Sequence, residues 1–178
     1  MTRSSAGRAS SFSRATSGDM HSLVAQPEKF CNKREMEIEV FDRFLLRQRR
    51  ARAAAGFAAH RFLFDEVEDR LCDRLADVKR RFPLAVNLGA HDGGLTARLS
   101  GRNGIETVLQ LELSPALANL AAKAGPVAVA DAEFLPLASA STDMIISPLD
   151  LHWVNDLPGV LLQIRQALKP DGLFLAAL

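Results

Sequence analysis

The spacing of apolar residues along the chain changes at Pro83. Over residues 37–82 apolar positions recur every three or four residues, the spacing of one helical face. From Pro83 onward, short continuous apolar runs alternate with helical patterns, as in parallel strands that helices cover on both faces. The pattern predicts a helical segment over 37–82 and an α/β domain with a doubly wound parallel sheet over 83–178.

The helical segment is predicted to contain two helices. In the first, "EVFDRFLLRQRRARAAA", we expect Val40, Phe44 and Leu45 to face the core. We expect its many arginines to form a solvated face, with a docking face for a partner or an anionic ligand as the alternative. The second helix, "RFLFDEVEDRLCDRLADVKRRF", carries one apolar stripe, made of Phe64, Val67, Leu71, Leu75 and Val78.

The α/β segment contains five predicted strands, namely "LAVNLG", "ETVLQLE", "PVAVAD", "TDMIIS" and "LFLAAL". The helix after the second strand has Ser114 as its N-cap, Pro115 at its first position and Gly125 at its end. The helix before the last strand begins at Asn155 or Asp156, and "KPDG" is predicted to form the turn that follows it.

Composition narrows the class of protein. The net charge of +1 gives no reason to expect nucleic acid as a partner, and the apolar runs are too short for a membrane span. The two cysteines, Cys31 and Cys72, lack the spacing of a metal site. Residues 1–36 are predicted to be a disordered or targeting-like tail, because residues 1–18 are rich in serine and arginine and contain no acid.

The candidate binding site lies where the first strand ends. The stretch Gly89–Gly94 joins that strand to a helix, so glycine backbone and a helix N-terminus are open to a carboxylate or phosphate. Glu112 ends the second strand about 20 residues further on, where an acid can hold ribose hydroxyls. Asp131, followed by Ala132 and Glu133, ends the third strand and is placed to face an adenine ring. These strand ends predict a nucleoside site.

The segments "VNLGAHDGG", "LELSP", "ADAEFLPLASASTDMIIS" and "ALKPDGLF" resemble the class I S-adenosylmethionine (SAM) methyltransferases. Together with "FDRFLLRQRRARAAAGFAAHRFLFDEV", they resemble the branch that holds a mitochondrial complex I assembly factor related to arginine hydroxylation, its proteobacterial relatives and the malonyl-carrier methyltransferases. The resemblance implies a Rossmann-like sheet with strand order 3-2-1-4-5, two N-terminal helices and SAM as cofactor.

The resemblance also implies the site residues. Trp153 lies with His152 on the substrate side unless this loop is merely packed. No general base is obvious from the sequence, and Asp150 and His152 are the catalytic candidates because either could serve as one. The residues expected to bind the cofactor are Asn87, Gly89, Ala90, His91, Gly93, Glu112, Leu113, Asp131, Ala132 and Ser147.

The chain departs from the pattern of the family that it resembles. Asn87 replaces a usual aspartate, Ala90 replaces a frequent cysteine, and Pro148 and Asp150 interrupt a stretch of small residues. The family continues through two further strands beyond Leu178. We therefore expect the last strand to form an open edge, and the chain alone to self-associate and to lack turnover.

Four functions remain open from the sequence. The first is methyl transfer to a small-molecule or protein acceptor. The second is complex I assembly through modification of a subunit by arginine hydroxylation, although no iron site is evident in the pairs His91–Asp92 and Asp150–His152. The third is a non-catalytic SAM-binding remnant. The fourth, a nicotinamide dehydrogenase, is disfavoured because His91 replaces the middle glycine of its motif. The expected location is the cytoplasm of a bacterium or the mitochondrial matrix of a eukaryote.

Overall fold

The computed structural model describes residues 39–178, so the predicted tail over 1–36 lies outside the described residues. The helices are α1 (Arg43–Ala53), α2 (Phe62–Ala76), α3 (Gly94–Leu99), α4 (Pro115–Ala121) and α5 (Leu157–Ala167), with 3₁₀ turns at Ala54–His60 and Leu151–Trp153. The strands are β1 (Leu84–Leu88), β2 (Thr107–Glu112), β3 (Val127–Val129), β4 (Thr142–Pro148) and β5 (Leu168–Ala177). Within residues 39–178, no helix combines the length and the apolar character that crossing a membrane requires.

The five strands form one parallel sheet in the order β3-β2-β1-β4-β5. This confirms the predicted fold class and strand order. Strand order reverses between β1 and β4, since β2 pairs with one edge of β1 and β4 with the other. In doubly wound sheets ligands bind beyond the carboxyl ends of the strands at such a point. The topology therefore places the loops after β1, β2 and β4 around one cleft.

Apolar side chains fill both faces of the sheet. Successive residues of a strand point to opposite faces, so Met144 and Ile146 pack on one side of β4 and Ile145 packs on the other. The first layer includes Leu71 and Leu75 of α2 and Leu95 and Leu99 of α3. The second layer includes Val160 and Ile164 of α5. Coverage on both faces explains why the strands read as continuous apolar runs.

Several predicted boundaries move. Helix α4 ends at Ala121, four residues before Gly125, and Asp156 caps α5 by accepting from the N–H of Gly159 at 2.8 Å. The predicted turn "KPDG" lies inside β5, where the pairing jumps from Thr142–Leu168 to Met144–Leu173. Asp171 still has the positive φ of a turn, 64°, so the turn chemistry is present as an irregularity within the strand.

The predicted buried face of the first helix is wrong. Val40 and Phe44 are 68% and 69% exposed, and Leu46 is the buried residue of α1. Arg43 and Arg50 lie on the side of Leu46, and both form ion pairs with acids at the ends of the strands. These ion pairs orient the helix, so Arg43 and Arg50 are not part of a solvated face. The other arginines of α1 are exposed as predicted, namely Arg47, Arg49 and Arg52.

Candidate functional site

The loop after β1 is held in left-handed backbone conformations. Gly89 and Gly93 have φ angles of 74° and 86°, and His91 has a φ of 51°. The N–H groups of Gly89 and Ala90 both donate to the carbonyl of Leu111, at 2.9 and 3.1 Å, which ties the loop to β2. Glycine removes the side-chain penalty of this conformation at two of the three positions. The loop is thus a rigid cradle at the carboxyl end of β1.

Glu112 connects the two loops nearest to this cradle. Its carboxylate is fully buried at the end of β2. One oxygen, Oε2, accepts from the N–H of His91 at 2.9 Å, and Oε1 accepts from the N–H of Ser114 at 2.9 Å. Arg50 Nη1 lies 3.4 Å from Oε1. A buried carboxylate needs such donors, and here they fix the loop after β1 relative to the loop after β2.

Asp150, just after β4, sits directly on the glycine cradle. An ideal Cβ added to Gly89 would overlap the Cβ and carboxyl group of Asp150. Arg50 Nη2 donates to Asp150 Oδ1 at 2.5 Å. Burial is the largest single influence and raises the pKa of Asp150, but the nearby cations, Arg50 first among them, together with the Arg50 hydrogen bond hold this pKa below its usual value. Asp150 is therefore an ion-paired carboxylate.

Asp131, at the end of the third strand region, is bonded to the other arginine of α1. Arg43 Nε donates to Asp131 Oδ2 at 3.1 Å, and Arg43 Nη2 bonds to Oδ1. A third donor, Arg43 Nη1, bonds to the carbonyl of Trp153 at 2.8 Å. Ala132 is buried beside Asp131. One arginine thus joins the loop after β3 to the loop after β4.

Three buried polar atoms near the strand ends have no hydrogen-bond partner among residues 39–178: Asn87 Oδ1, Ser114 Oγ and Ser147 Oγ. The amide nitrogen of Asn87 donates to Thr96 Oγ1 at 3.0 Å, so only its oxygen is unpaired. Ser114 occupies the predicted N-cap of α4, but its hydroxyl does not cap the helix. Buried polar groups without partners carry a free-energy cost, and a polar ligand at this edge of the sheet would offset it.

An apolar cavity of about 560 Å³ opens between α1 and the strand ends. His91 borders it, and its ring lies 4.5 Å from the ring of Phe64 and stacks on Phe57 at 5.9 Å between centroids. The Nε2–H of His91 donates to the carbonyl of Pro148 at 3.1 Å. Burial lowers the pKa of His91, so this ring is neutral near pH 7. His152, exposed, and Trp153 also border the cavity.

A second ion-pair cluster holds α2 against the glycine loop. Arg61 donates to Asp92 at 2.5 Å and to Glu68 at 2.6 Å, and its guanidinium lies against Gly94. Arg98 Nη1 donates to the same Glu68 oxygen as Arg61, Oε2, at 2.7 Å. Burial raises the pKa of Glu68 to about 7 even though two arginines oppose this change. The segment that contains α2 is therefore bonded to the glycine loop after β1 through Arg61.

Comparison with known proteins supplies the family. A sequence profile described as a methyltransferase domain matches residues 86–176, half of the chain, and these residues include both strand ends that carry the cradle and Glu112. The chain belongs to this methyltransferase family. The parallel sheet is the fold that the chain shares with a solved methyltransferase structure.

Individual relatives agree with this assignment. The human protein named arginine-hydroxylase NDUFAF5, mitochondrial, is 39% identical over 146 residues, which cover 79% of this chain and 42% of that protein. A malonyl-[acyl-carrier protein] O-methyltransferase of Xylella fastidiosa is 35% identical, over 78% of this chain and 50% of that enzyme. The chain thus spans about half the length of the curated relatives it matches.

A solved structure shows the same fold. Phosphoethanolamine N-methyltransferase 2 of Haemonchus contortus, in complex with phosphomonomethylethanolamine and S-adenosylhomocysteine, superposes with a TM-score of 0.59. The match covers 68% of this chain and 32% of that enzyme at 19% identity.

The methyltransferase domain brings together many of the residues that the sequence singled out. His91 donates through its N–H to Glu112, and Asp150 packs on Gly89. Arg50 bonds to both acids. Asp131 joins this group through α1, and Leu113, Ser147 and Gly93 are buried close to the same strand ends. His152 is exposed and borders the same cavity as His91.

Sequence reasoning missed Arg43 and Arg50 as site residues. Both reach acids that are 88 to 100 residues away along the chain, which no local pattern reveals. The available signal was their placement on either side of Leu46, three residues before it and four after it, on one helical face. Within residues 39–178, no group of three or more His, Cys, Asp or Glu side chains is arranged to hold a metal ion.

Proposed function

We propose that this chain binds SAM at the carboxyl ends of β1, β2 and β3 and uses it for methyl transfer. The observation that carries the proposal is Glu112, a fully buried carboxylate whose two oxygens are held by the N–H groups of His91 and Ser114. This arrangement fixes an acid beside the glycine loop. The acid can bind the ribose of a nucleoside, and the loop can bind a charged group attached to that nucleoside.

The residues present fit this cofactor. Glu112 would hold the ribose hydroxyls, and Asp131 with Leu113 and Ala132 would border the adenine. The cradle around Gly89 and Gly93, with Ala90 and His91, would take the methionine end. The unpaired oxygens of Asn87 and Ser147 lie at the same strand ends and would gain partners from the polar groups of the ligand.

When bound, SAM would supply a methyl group that its sulfonium makes electrophilic. The chain's own residues then have to position the acceptor and exclude water. The apolar cavity beside His91 offers such an enclosure. We assign Asp150 and His152 to the acceptor side. Burial of part of its ring lowers the pKa of His152, so that it is neutral near pH 7 and able to accept a proton.

A second candidate function is modification of a respiratory complex I subunit. Its support is the 39% identity to human arginine-hydroxylase NDUFAF5, which exceeds the 35% identity to the Xylella fastidiosa malonyl-carrier methyltransferase. In this case the group that is modified is an arginine side chain of a protein substrate. The protein would then work in the mitochondrial matrix or, in a bacterium, in the cytoplasm.

Calorimetric titration of the purified chain with SAM, S-adenosylhomocysteine and NAD tests the cofactor proposal. We expect the first two to bind and NAD not to bind. Glu112→Ala should weaken SAM binding by about 1–3 kcal/mol, the range for losing a hydrogen-bond partner that is charged. Glu106→Ala is the matched control, because Glu106 precedes the same strand but is exposed and remote from the cradle. Equal affinity of both variants, measured per folded molecule, would contradict the assignment of Glu112.

A further inference from the structure

Helix α1 presents two arginines to the acids on which the proposed cofactor site depends. Arg43 and Arg50 are seven residues apart, two turns of helix, so they project from the same side. Arg43 bonds to Asp131, and Arg50 bonds to Glu112. One helix therefore covers both the acid proposed for adenine and the acid proposed for ribose.

These contacts leave little room for a ligand. Glu112 is fully buried, and the Arg50 side chain that covers it is only 10% exposed. Both oxygens of Asp131 bond to Arg43, and Oδ1 also accepts from the N–H of Glu133 at 3.0 Å. The space above Gly89 is filled by Asp150, which Arg50 holds in place. A nucleoside cannot reach these acids while the two arginines occupy them.

We propose that α1 is a displaceable strap, in which Arg43 and Arg50 neutralise the strand-end acids until SAM binds and takes their place. This inference rests on the proposed function, because it requires SAM at this site. SAM carries a sulfonium, an ammonium and a carboxylate, a net charge of +1, so it restores one of the two positive charges that Arg43 and Arg50 withdraw. That charge can take the place of the Arg50 guanidinium between Glu112 and Asp150.

The packing of α1 is consistent with such movement. Leu46 is the one residue of α1 that is buried. Phe44 is 69% exposed, and Arg47 and Arg49 are exposed as well. A helix with few buried apolar contacts belongs to the less stable parts of a fold, so the ion pairs of Arg43 and Arg50 are what hold α1 in place. Its N-terminal end stays attached, since Asn155 bonds to both the N–H and the carbonyl of Phe41, at 2.8 and 3.0 Å.

Three variants test the strap by calorimetric titration with S-adenosylhomocysteine and with SAM. Arg43→Gln and Arg50→Gln each remove one anchor, and Arg47→Gln is the control, an exposed arginine of the same helix. The apparent affinity of the chain for a ligand equals the affinity of the open site multiplied by the fraction of molecules in which the site is open. A strap that is closed in about nine molecules of ten therefore weakens binding roughly tenfold. We expect Arg43→Gln and Arg50→Gln to bind both ligands several-fold more tightly than the wild-type chain, and Arg47→Gln to bind unchanged.

Arg50→Gln leaves two buried carboxylates without a cation, so this variant can fail to fold. Arg43→Gln keeps the test decisive, because Asp131 is 22% exposed and tolerates the loss of its partner better. Hydrogen exchange on the wild-type chain gives an independent reading. On addition of S-adenosylhomocysteine, amides of residues 43–53 should exchange faster while those of residues 89–94 exchange more slowly.

The outcomes separate the two proposals. Wild-type binding that depends on Glu112, together with equal or weaker binding by Arg43→Gln and by folded Arg50→Gln, would overturn the strap and leave the cofactor site intact. Added protection of residues 43–53 on binding would overturn it as well. Absence of binding by the wild-type chain and by every variant would overturn the cofactor proposal and the strap with it.

Discussion

Replacing Gly93 by alanine should lower the free energy of unfolding through two effects, backbone strain and a close contact of the added Cβ. Gly93 caps α3 with a φ of 86°, in the left-handed region. An alanine there costs about 1–2 kcal/mol from backbone strain alone. The added Cβ would also lie 2.9 Å from Ala121 Cα and 3.0 Å from Gln110 Oε1. Backbone on α4 cannot yield as a flexible side chain would, so this contact adds about 1–3 kcal/mol of overpacking.

Gly101→Ala isolates the first effect. Gly101 has a φ of 74°, and its added Cβ would have no heavy atom within 4 Å. This variant should therefore lose only the strain term, about 1–2 kcal/mol. Gly93→Ala should lose that amount plus the overpacking term, about 2–5 kcal/mol in total.

Urea unfolding of the wild-type chain and the two variants measures both quantities, provided the slope of the transition is the same for all three. The expected order of unfolding free energy is wild type, then Gly101→Ala, then Gly93→Ala. Equal destabilisation by the two variants, within about 0.5 kcal/mol, would refute the close packing of the loop on α4.

Three further predictions follow from single residues. The pKa of Glu68 is about 7 in the folded state against 4.5 ordinarily, so its contribution to the unfolding free energy is full below pH 4.5 and disappears as pH rises through 7. Glu68→Gln should remove this pH dependence from urea midpoints measured between pH 5 and 8. Asp156→Ala should cost about 1 kcal/mol in the same assay, because Asp156 accepts from the N–H of Gly159 at the start of α5. Cys72 is buried and burial raises the pKa of its thiol, so peptide mapping after iodoacetamide treatment should find Cys72 unmodified in the native chain and modified in urea.

The sheet could be predicted from the sequence because each strand is locally encoded. The run from Leu84 to Leu88 is apolar on both faces and ends at Gly89, and the stretch Thr107–Glu112 repeats the pattern. Parallel strands joined by helices allow few topologies, since the crossovers are right-handed. The strand order then agreed with the expectation from family resemblance.

Pairings between distant residues could not be predicted in the same way. Because Val40 and Phe44 are apolar, the sequence predicted that they form the buried side of the first helix, but both are exposed. The orientation of α1 is set by Arg43 and Arg50, whose acid partners follow other strands. Asp150 illustrates the same limit. The sequence marked it as a catalytic candidate, and only the fold shows that it is ion-paired and fills the cradle of Gly89.

The two ion-pair systems around the glycine loop differ in a way that assigns them different tasks. Glu68 is 1% exposed and receives hydrogen bonds from two arginines, Arg61 immediately before α2 and Arg98 on α3. Arg61 also donates to Asp92 of the glycine loop, so loss of this arginine would unpair acids on both sides of that contact, which is costly and keeps α2 attached to the loop. Arg43 and Asp131 are 19% and 22% exposed, and water can replace either partner at a smaller cost.

The two anchors of α1 differ in the same way. Water can replace the Arg43–Asp131 contact, whereas Arg50 is 10% exposed and pairs with Glu112 and Asp150, which are 0% and 7% exposed. Arg50 therefore leaves at an acceptable cost only when another cation takes its place.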